Sequence, residues 1–249
     1  MKTVLIPIPQ IDFDPTEVSV PWKTLSQKGY KIVFATPSGN PGEADFRMVT
    51  GKGLGVLSPV LKARKEDVEF YRELEKSNEF LSPKKYESVK PDSFDVLLLP
   101  GGHAKGMRVY LESESLQDLV GKTFAEKKPI AAICHGVLLA ARSKNPKTNK
   151  SSLFGYKTTG LLRSQELLAW NLTRAWLGDY YRTYPTPLQD EVISFLSSPD
   201  DFQEGPMPVS RDTSSNFKPG FTVLDKNYLS ARWPGDAHKF ASELPLFFG

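Results

Sequence analysis

A single cysteine in 249 residues excludes an internal disulfide, so the fold is held without cross-links and the thiol of Cys134 is expected to stay reduced. Histidine is nearly as scarce. Three of them, with no clustered metal-ligand spacing, argue against a structural zinc site, and neither a metal nor a cofactor is expected. No apolar run approaches the roughly 20 residues that cross a bilayer. Met1-Lys2 leads into a stretch broken by Pro7 and Pro9 that lacks the layout of a signal peptide, so a cytoplasmic protein away from membranes is expected. Charge of one sign is not concentrated either: 32 basic and 29 acidic residues are spread along the chain without long blocks, which leaves no footprint for nucleic acid. Internal repeats and low-complexity tracts are absent. The length suffices for one full core, so a single domain over residues 1–249 is the starting expectation.

Short apolar runs rich in β-formers stand at Thr3–Ile8, Tyr30–Ala35, Phe94–Leu99 and Pro129–Ile133. They read as strands buried on both faces. Between them, Thr16–Lys28, Glu66–Lys76 and Ser113–Glu126 have helical period. This alternation predicts an α/β fold, a parallel sheet sandwiched between helices, with ligands beyond the carboxyl ends of the strands. From Pro37 to Lys65 the pattern fades into a long loop or small insertion after the second strand. Leucines and tryptophans return at helical spacing over Gln165–Trp176, and the chain is Pro-rich and irregular from Tyr180 to about Gly220. A hairpin around Asp225-Lys226-Asn227 and a helix over Asp236–Leu244 end the chain.

The lone cysteine sits where chemistry would need it. Ala132-Ile133-Cys134-His135-Gly136 marks a sharp turn from a buried strand into a helix over Val137–Arg142, the cysteine counterpart of the Gly-x-Ser-x-Gly elbow, with Ala132 in place of the first glycine. A thiol at a helix N-terminus is expected to have a lowered pKa, and the His135 N–H would face an oxyanion at the attacked carbon. Pro100-Gly101-Gly102-His103 ends another strand without side chains at its first turn. Gly101 and Gly102 can therefore bring backbone amides close to a ligand, with Gly102 N–H as the second oxyanion donor. Glu17 has two readings. Asp14-Pro15-Thr16-Glu17 is a complete helix-start signature that accounts for it without function. Pro21, four residues on, cannot bond the Glu17 carbonyl and should kink the helix, turning a protonated Glu17 toward the thiolate.

These residues together resemble the ThiJ/PfpI superfamily, related in fold to class I glutamine amidotransferase domains and so flavodoxin-like. The resemblance runs over nearly the whole chain and rests on Glu17 with Pro21 and Trp22, Ala35-Thr36-Pro37-Ser38-Gly39 with Asp45, Leu99-Pro100-Gly101-Gly102-His103, and Ala132-Ile133-Cys134-His135-Gly136. The insertion and length resemble the larger branch of heat-shock-type chaperones with glyoxalase III activity. What the resemblance implies is a Cys-His-acid triad with a glutamate at the thiol, matched by Cys134, His135 and Glu17, and a homodimer. The third member follows a Gly-Tyr landmark; Gly155-Tyr156 brings Glu166 to that position, although Thr158–Trp176 otherwise departs from the chaperone-type pattern. His103 is an alternative donor to substrate, His238 is expected on the surface, and the Arg232-Trp233-Pro234-Gly235-Asp236 turn is expected to pack through Trp233 or to close part of the pocket.

The chemistry expected is cofactor-free attack of Cys134 on a small carbonyl or amide substrate, glyoxalase III-like conversion of methylglyoxal to lactate or a related deglycation or hydrolysis. Two readings compete: an oxidation sensor in a stress chaperone with little turnover, and a binding module on an old enzyme fold.

Overall fold

The computed structural model describes residues 1–249. Its strands are β1 (Thr3–Pro7), β2 (Ile11–Phe13), β3 (Lys31–Thr36), β4 (Glu43–Ala44), β5 (Lys84–Lys85), β6 (Val96–Leu99), β7 (Ile130–Ile133), β8 (Thr222–Asp225) and β9 (Tyr228–Ala231). Seven of them form one sheet in the order β5-β3-β1-β6-β7-β9-β8. Every pairing in it is parallel except β8 with β9, the terminal hairpin. The residues of β6 and β7 are buried throughout, as a sheet covered on both faces requires. Helix Pro15–Gln27 packs with Lys65–Leu74 and Ala237–Phe248, while His135–Arg142 packs with Glu114–Ala125 and Leu188–Phe195. The architecture is the flavodoxin-like α/β sandwich expected. No helix is long and apolar enough to cross a membrane.

Register is what positions the site. Leu97, Leu98 and Leu99 lie opposite Ile130, Ala131 and Ala132, so β6 and β7 end level and the Gly101-Gly102 turn emerges beside Cys134. Asp14 caps the helix after β2 by accepting from Thr16 N (2.8 Å) and Glu17 N (3.1 Å), which brings Glu17 to the same edge. Pro21 lies inside this helix, which continues to Gln27.

Two expectations need correction, and one is met: the stretch 37–65 is the small insertion expected, carrying β4 and short helical turns at Phe46–Thr50, Gly55–Leu57 and Ser58–Leu61, the first capped by Asp45. These elements are set by caps and turns too short to show a period. The segment after Tyr180 includes a helix, Leu188–Phe195, with Asp190 and Glu191 in its first turn. His238 is not on the surface; it is buried, with Nε2 at 2.9 Å from Asp67 Oδ1, because Ala237–Phe248 packs that face onto the first helix.

Candidate active site

Cys134 joins β7 to helix His135–Arg142 with φ 55° and ψ −123°, a conformation that costs a non-glycine residue of order 1–3 kcal/mol and persists only where its surroundings enforce it. Here two strand ends enforce it. Cys134 N donates to Ala231 O (3.1 Å), and Val137 N donates to Cys134 O (3.1 Å). Gly136 passes so close to β6 that a Cβ on it would lie 2.0 Å from Leu99 O; on Gly101 a Cβ would lie 2.5 Å from His135 N. The paired glycine motifs of the sequence are thus the two sides of one backbone crossing beneath the sulfur.

His135 is buried beside the thiol, its Nδ1 3.5 Å from Sγ. Its Nε2 lies 3.0 Å from Thr183 Oγ1, and that hydroxyl donates to the His103 carbonyl at 2.5 Å. With its proton committed there, the Thr183 oxygen accepts Nε2–H, which leaves Nδ1 unprotonated and facing the sulfur. Burial lowers the imidazole pKa to about 3, so the ring is neutral at physiological pH, with the Nδ1 lone pair unprotonated. Arg108 fixes Thr183 by donating to its carbonyl through Nε (2.9 Å) and Nη2 (2.6 Å).

Thr183 holds the place that sequence reasoning assigned to Glu166. The Glu166 carboxylate instead accepts from Leu188 N (2.9 Å) and pairs with Arg182 Nε (3.3 Å), so it makes no hydrogen bond to His135. Burial still raises its pKa to about 7, and it lines the cavity that also reaches Cys134. No local pattern singles out Thr183 in Tyr180-Tyr181-Arg182-Thr183-Tyr184. The density of aromatic residues there was the available sign that the segment packs onto something.

Glu17 is fully buried, with Oε2 accepting from Gly101 N at 2.9 Å. Gly101 is therefore spent on Glu17 and is not a free oxyanion donor, whereas Gly102 N makes no intramolecular hydrogen bond. Burial, with the negative charge of Asp14 behind it, drives the Glu17 carboxyl well above its usual range, so it is a proton donor toward the thiol. The thiol itself moves opposite to the sequence expectation. Burial pushes Cys134 up, charge on Glu17 and Asp14 adds to this, and the His135 N–H opposes it. At 4% exposure desolvation outweighs the helix terminus, and the resting sulfur keeps its proton until His135 takes it.

Glu17 carries a pH signature. Its native pKa is raised, so the folded state retains a proton that the unfolded state releases, and its contribution to stability falls as pH rises above the unfolded value near 4.5. Glu17→Gln removes that loss. The Tm of the variant should gain on wild type between pH 5 and 7 by about 3–5 °C per pH unit, read by calorimetry across that range. A constant difference would mean that Glu17 ionises freely in the fold.

These groups open into a cavity of about 470 Å³ beyond the carboxyl ends of the strands. Six buried polar atoms without an intramolecular partner belong to residues lining it: Glu17 Oε1, Arg64 Nη2, His103 Nε2, Gln165 Oε1, Tyr181 Oη and Trp233 Nε1. Unpaired groups concentrated on one hollow mark where a polar ligand completes the bonding. His103 stacks on Tyr181 (4.4 Å between ring centroids), and burial lowers its pKa. Trp233 forms part of the wall, held by the buried Arg232–Asp236 ion pair (2.8 Å) on either side of it. Asp14, Arg64, Gln165, Tyr181 and Arg211 also line the cavity, and sequence reasoning did not place them there.

The ThiJ/PfpI family-like model matches residues 8–206. Deglycase PfpI of Pyrococcus furiosus is 30% identical over 133 residues, 52% of this chain and 60% of that protein. The glutathione-independent glyoxalase hsp3101 of Schizosaccharomyces pombe is 23% identical over 224 residues, 89% of this chain and 83% of that one. The chain spans about half the length of the first curated relatives it matches. Among solved structures, glyoxalase III from Candida albicans superposes with a TM-score of 0.72 at 20% identity, covering 100% of this chain and 98% of that one. With the model matching most of its length, the chain belongs to the ThiJ/PfpI-like family.

Proposed function

We propose that the protein is a cofactor-independent enzyme acting on 2-oxoaldehydes, converting methylglyoxal to lactate. The observation that carries this reading is the file of polar atoms from Cys134 Sγ through His135 Nδ1 and Nε2 to Thr183 Oγ1, with Glu17 and Gly102 lining the same cavity as the sulfur. His135 takes the thiol proton as sulfur bonds to the aldehyde carbon and passes it to the developing alkoxide, giving a neutral hemithioacetal with its oxygen at the Gly102 and His135 N–H groups and the imidazole again free as a base. The same imidazole then moves a proton from that carbon to the neighbouring one. The aldehyde carbon is oxidised and the ketone carbon reduced, so no outside oxidant is needed. Water cleaves the resulting thioester, releasing lactate and the thiol. Deglycation, the activity in the name of the Pyrococcus relative, would draw on the same thiol and imidazole in this chain.

Incubation with methylglyoxal in the absence of glutathione should yield lactate, and failure to form it would remove the reading. Thr183 acts through the ring of His135 and is a positioning residue. Thr183→Val should lower kcat by roughly 10- to 100-fold with little change in KM, short of the 10²–10⁴ attributed to a general base. Thr183→Ser should restore most of the rate, because it keeps the acceptor oxygen. A Val variant with unchanged kcat would show that Nε2 needs no partner.

A further inference from the structure

Besides the polar groups already named, the cavity is lined by large aliphatic side chains. Val60, Leu168, Leu172 and Val209 line the cavity, yet each is between 49% and 83% exposed. They come from three separate stretches: the turn Ser58–Leu61, the helix Arg163–Leu177 and the loop before Arg211. Leu168 and Leu172 are four residues apart and so share one helix face. Large aliphatic side chains gathered around the opening of a hollow are a feature of ligand grooves.

Size points the same way. A cavity of about 470 Å³ falls within the range that encloses drug-sized molecules. Methylglyoxal has five non-hydrogen atoms and would leave most of it to water.

We infer that the substrate is a 2-oxoacyl aldehyde bearing an apolar chain of several carbons, with the dicarbonyl at Cys134 and the chain lying along Val60, Leu168, Leu172 and Val209. This rests on the thiol chemistry proposed above and adds to it the identity of the group beyond the ketone. The bond-making steps do not change, since the chain takes no part in them. Continuity of the apolar rim with the cavity of the sulfur is what commits it to the substrate's own chain.

The experiment is a homologous series from methylglyoxal (2-oxopropanal) through 2-oxopentanal to 2-oxoheptanal, with hydroxy acid formation followed for wild type and for Leu172→Gln. Burial of each added methylene should raise kcat/KM about three- to fourfold, so 2-oxoheptanal should exceed methylglyoxal by about 10²-fold. Leu172→Gln, at a half-exposed helix position, should flatten that slope. Turnover of methylglyoxal with a flat or falling series would overturn the inference and leave the thiol reading intact. If no aldehyde is turned over, the thiol reading fails, and calorimetric binding of the same series to Cys134→Ser decides this question separately: affinity rising with chain length supports the apolar subsite, and equal affinity overturns it. Light scattering supplies a further arm, because a dimer that Leu172→Gln dissociates would assign the rim to a second copy.

Discussion

Replacing Cys134 by serine should reduce lactate formation from methylglyoxal by at least about 10³-fold while leaving the folded state and its Tm close to those of wild type. The substitution changes one atom of a buried side chain, so packing is preserved and nucleophilicity is not. A serine hydroxyl in this setting is a far poorer nucleophile than sulfur, because its proton is held far more tightly than a thiol's. The chain has no second cysteine to take over. Production of lactate at the wild-type rate would remove sulfur from the reaction, whatever the geometry around it.

The second large effect is on folding. Gly136→Ala should destabilise the protein by about 3 kcal/mol or more, a fall in Tm of roughly 6–12 °C, because the added carbon would sit 2.0 Å from the Leu99 carbonyl. Neither side of that contact can retreat. β6 is hydrogen-bonded between β1 and β7, and the start of the helix is tied through Cys134 N to Ala231. Thermal or denaturant unfolding measures the loss directly. A variant as stable as wild type would show that the crossing has slack, and the strained backbone at Cys134 would then need another cause.

The sheet and its active edge were legible because buried parallel strands write themselves as short apolar runs, and because Cys-His-Gly and Pro-Gly-Gly mark two strand ends that must lie level. Glu17 was legible as a helix-start residue, and the capped first turn is what delivers its carboxyl to the Gly101 amide. The partner of His135 was not legible. Thr183 reaches the imidazole from a segment without period, 48 residues downstream, and nothing local distinguishes it from other threonines. Glu166 was placed by the Gly155-Tyr156 landmark of the family resemblance, but a helix beginning at Arg163 carries it to Arg182 and the Leu188 amide instead. The direction of the thiol pKa was misread for a related reason. Helix position can be seen in a sequence, whereas depth of burial depends on what the rest of the chain lays over it.

The hydroxyl that aligns the imidazole belongs to a strap fastened at several places. Tyr180 Oη donates to Asp45 Oδ2 (2.6 Å), Arg108 grips the Thr183 carbonyl, and Tyr184 Oη donates to Glu112 Oε1 (2.7 Å). Asp45 comes from the insertion after β3, which also contributes Met48 and Leu54 to a small cluster with Tyr181. Two stretches that read as connecting chain therefore form one clamp over the base. A length change in either would rotate the imidazole away from sulfur unless the other compensated, so the orientation of the base depends on both segments together.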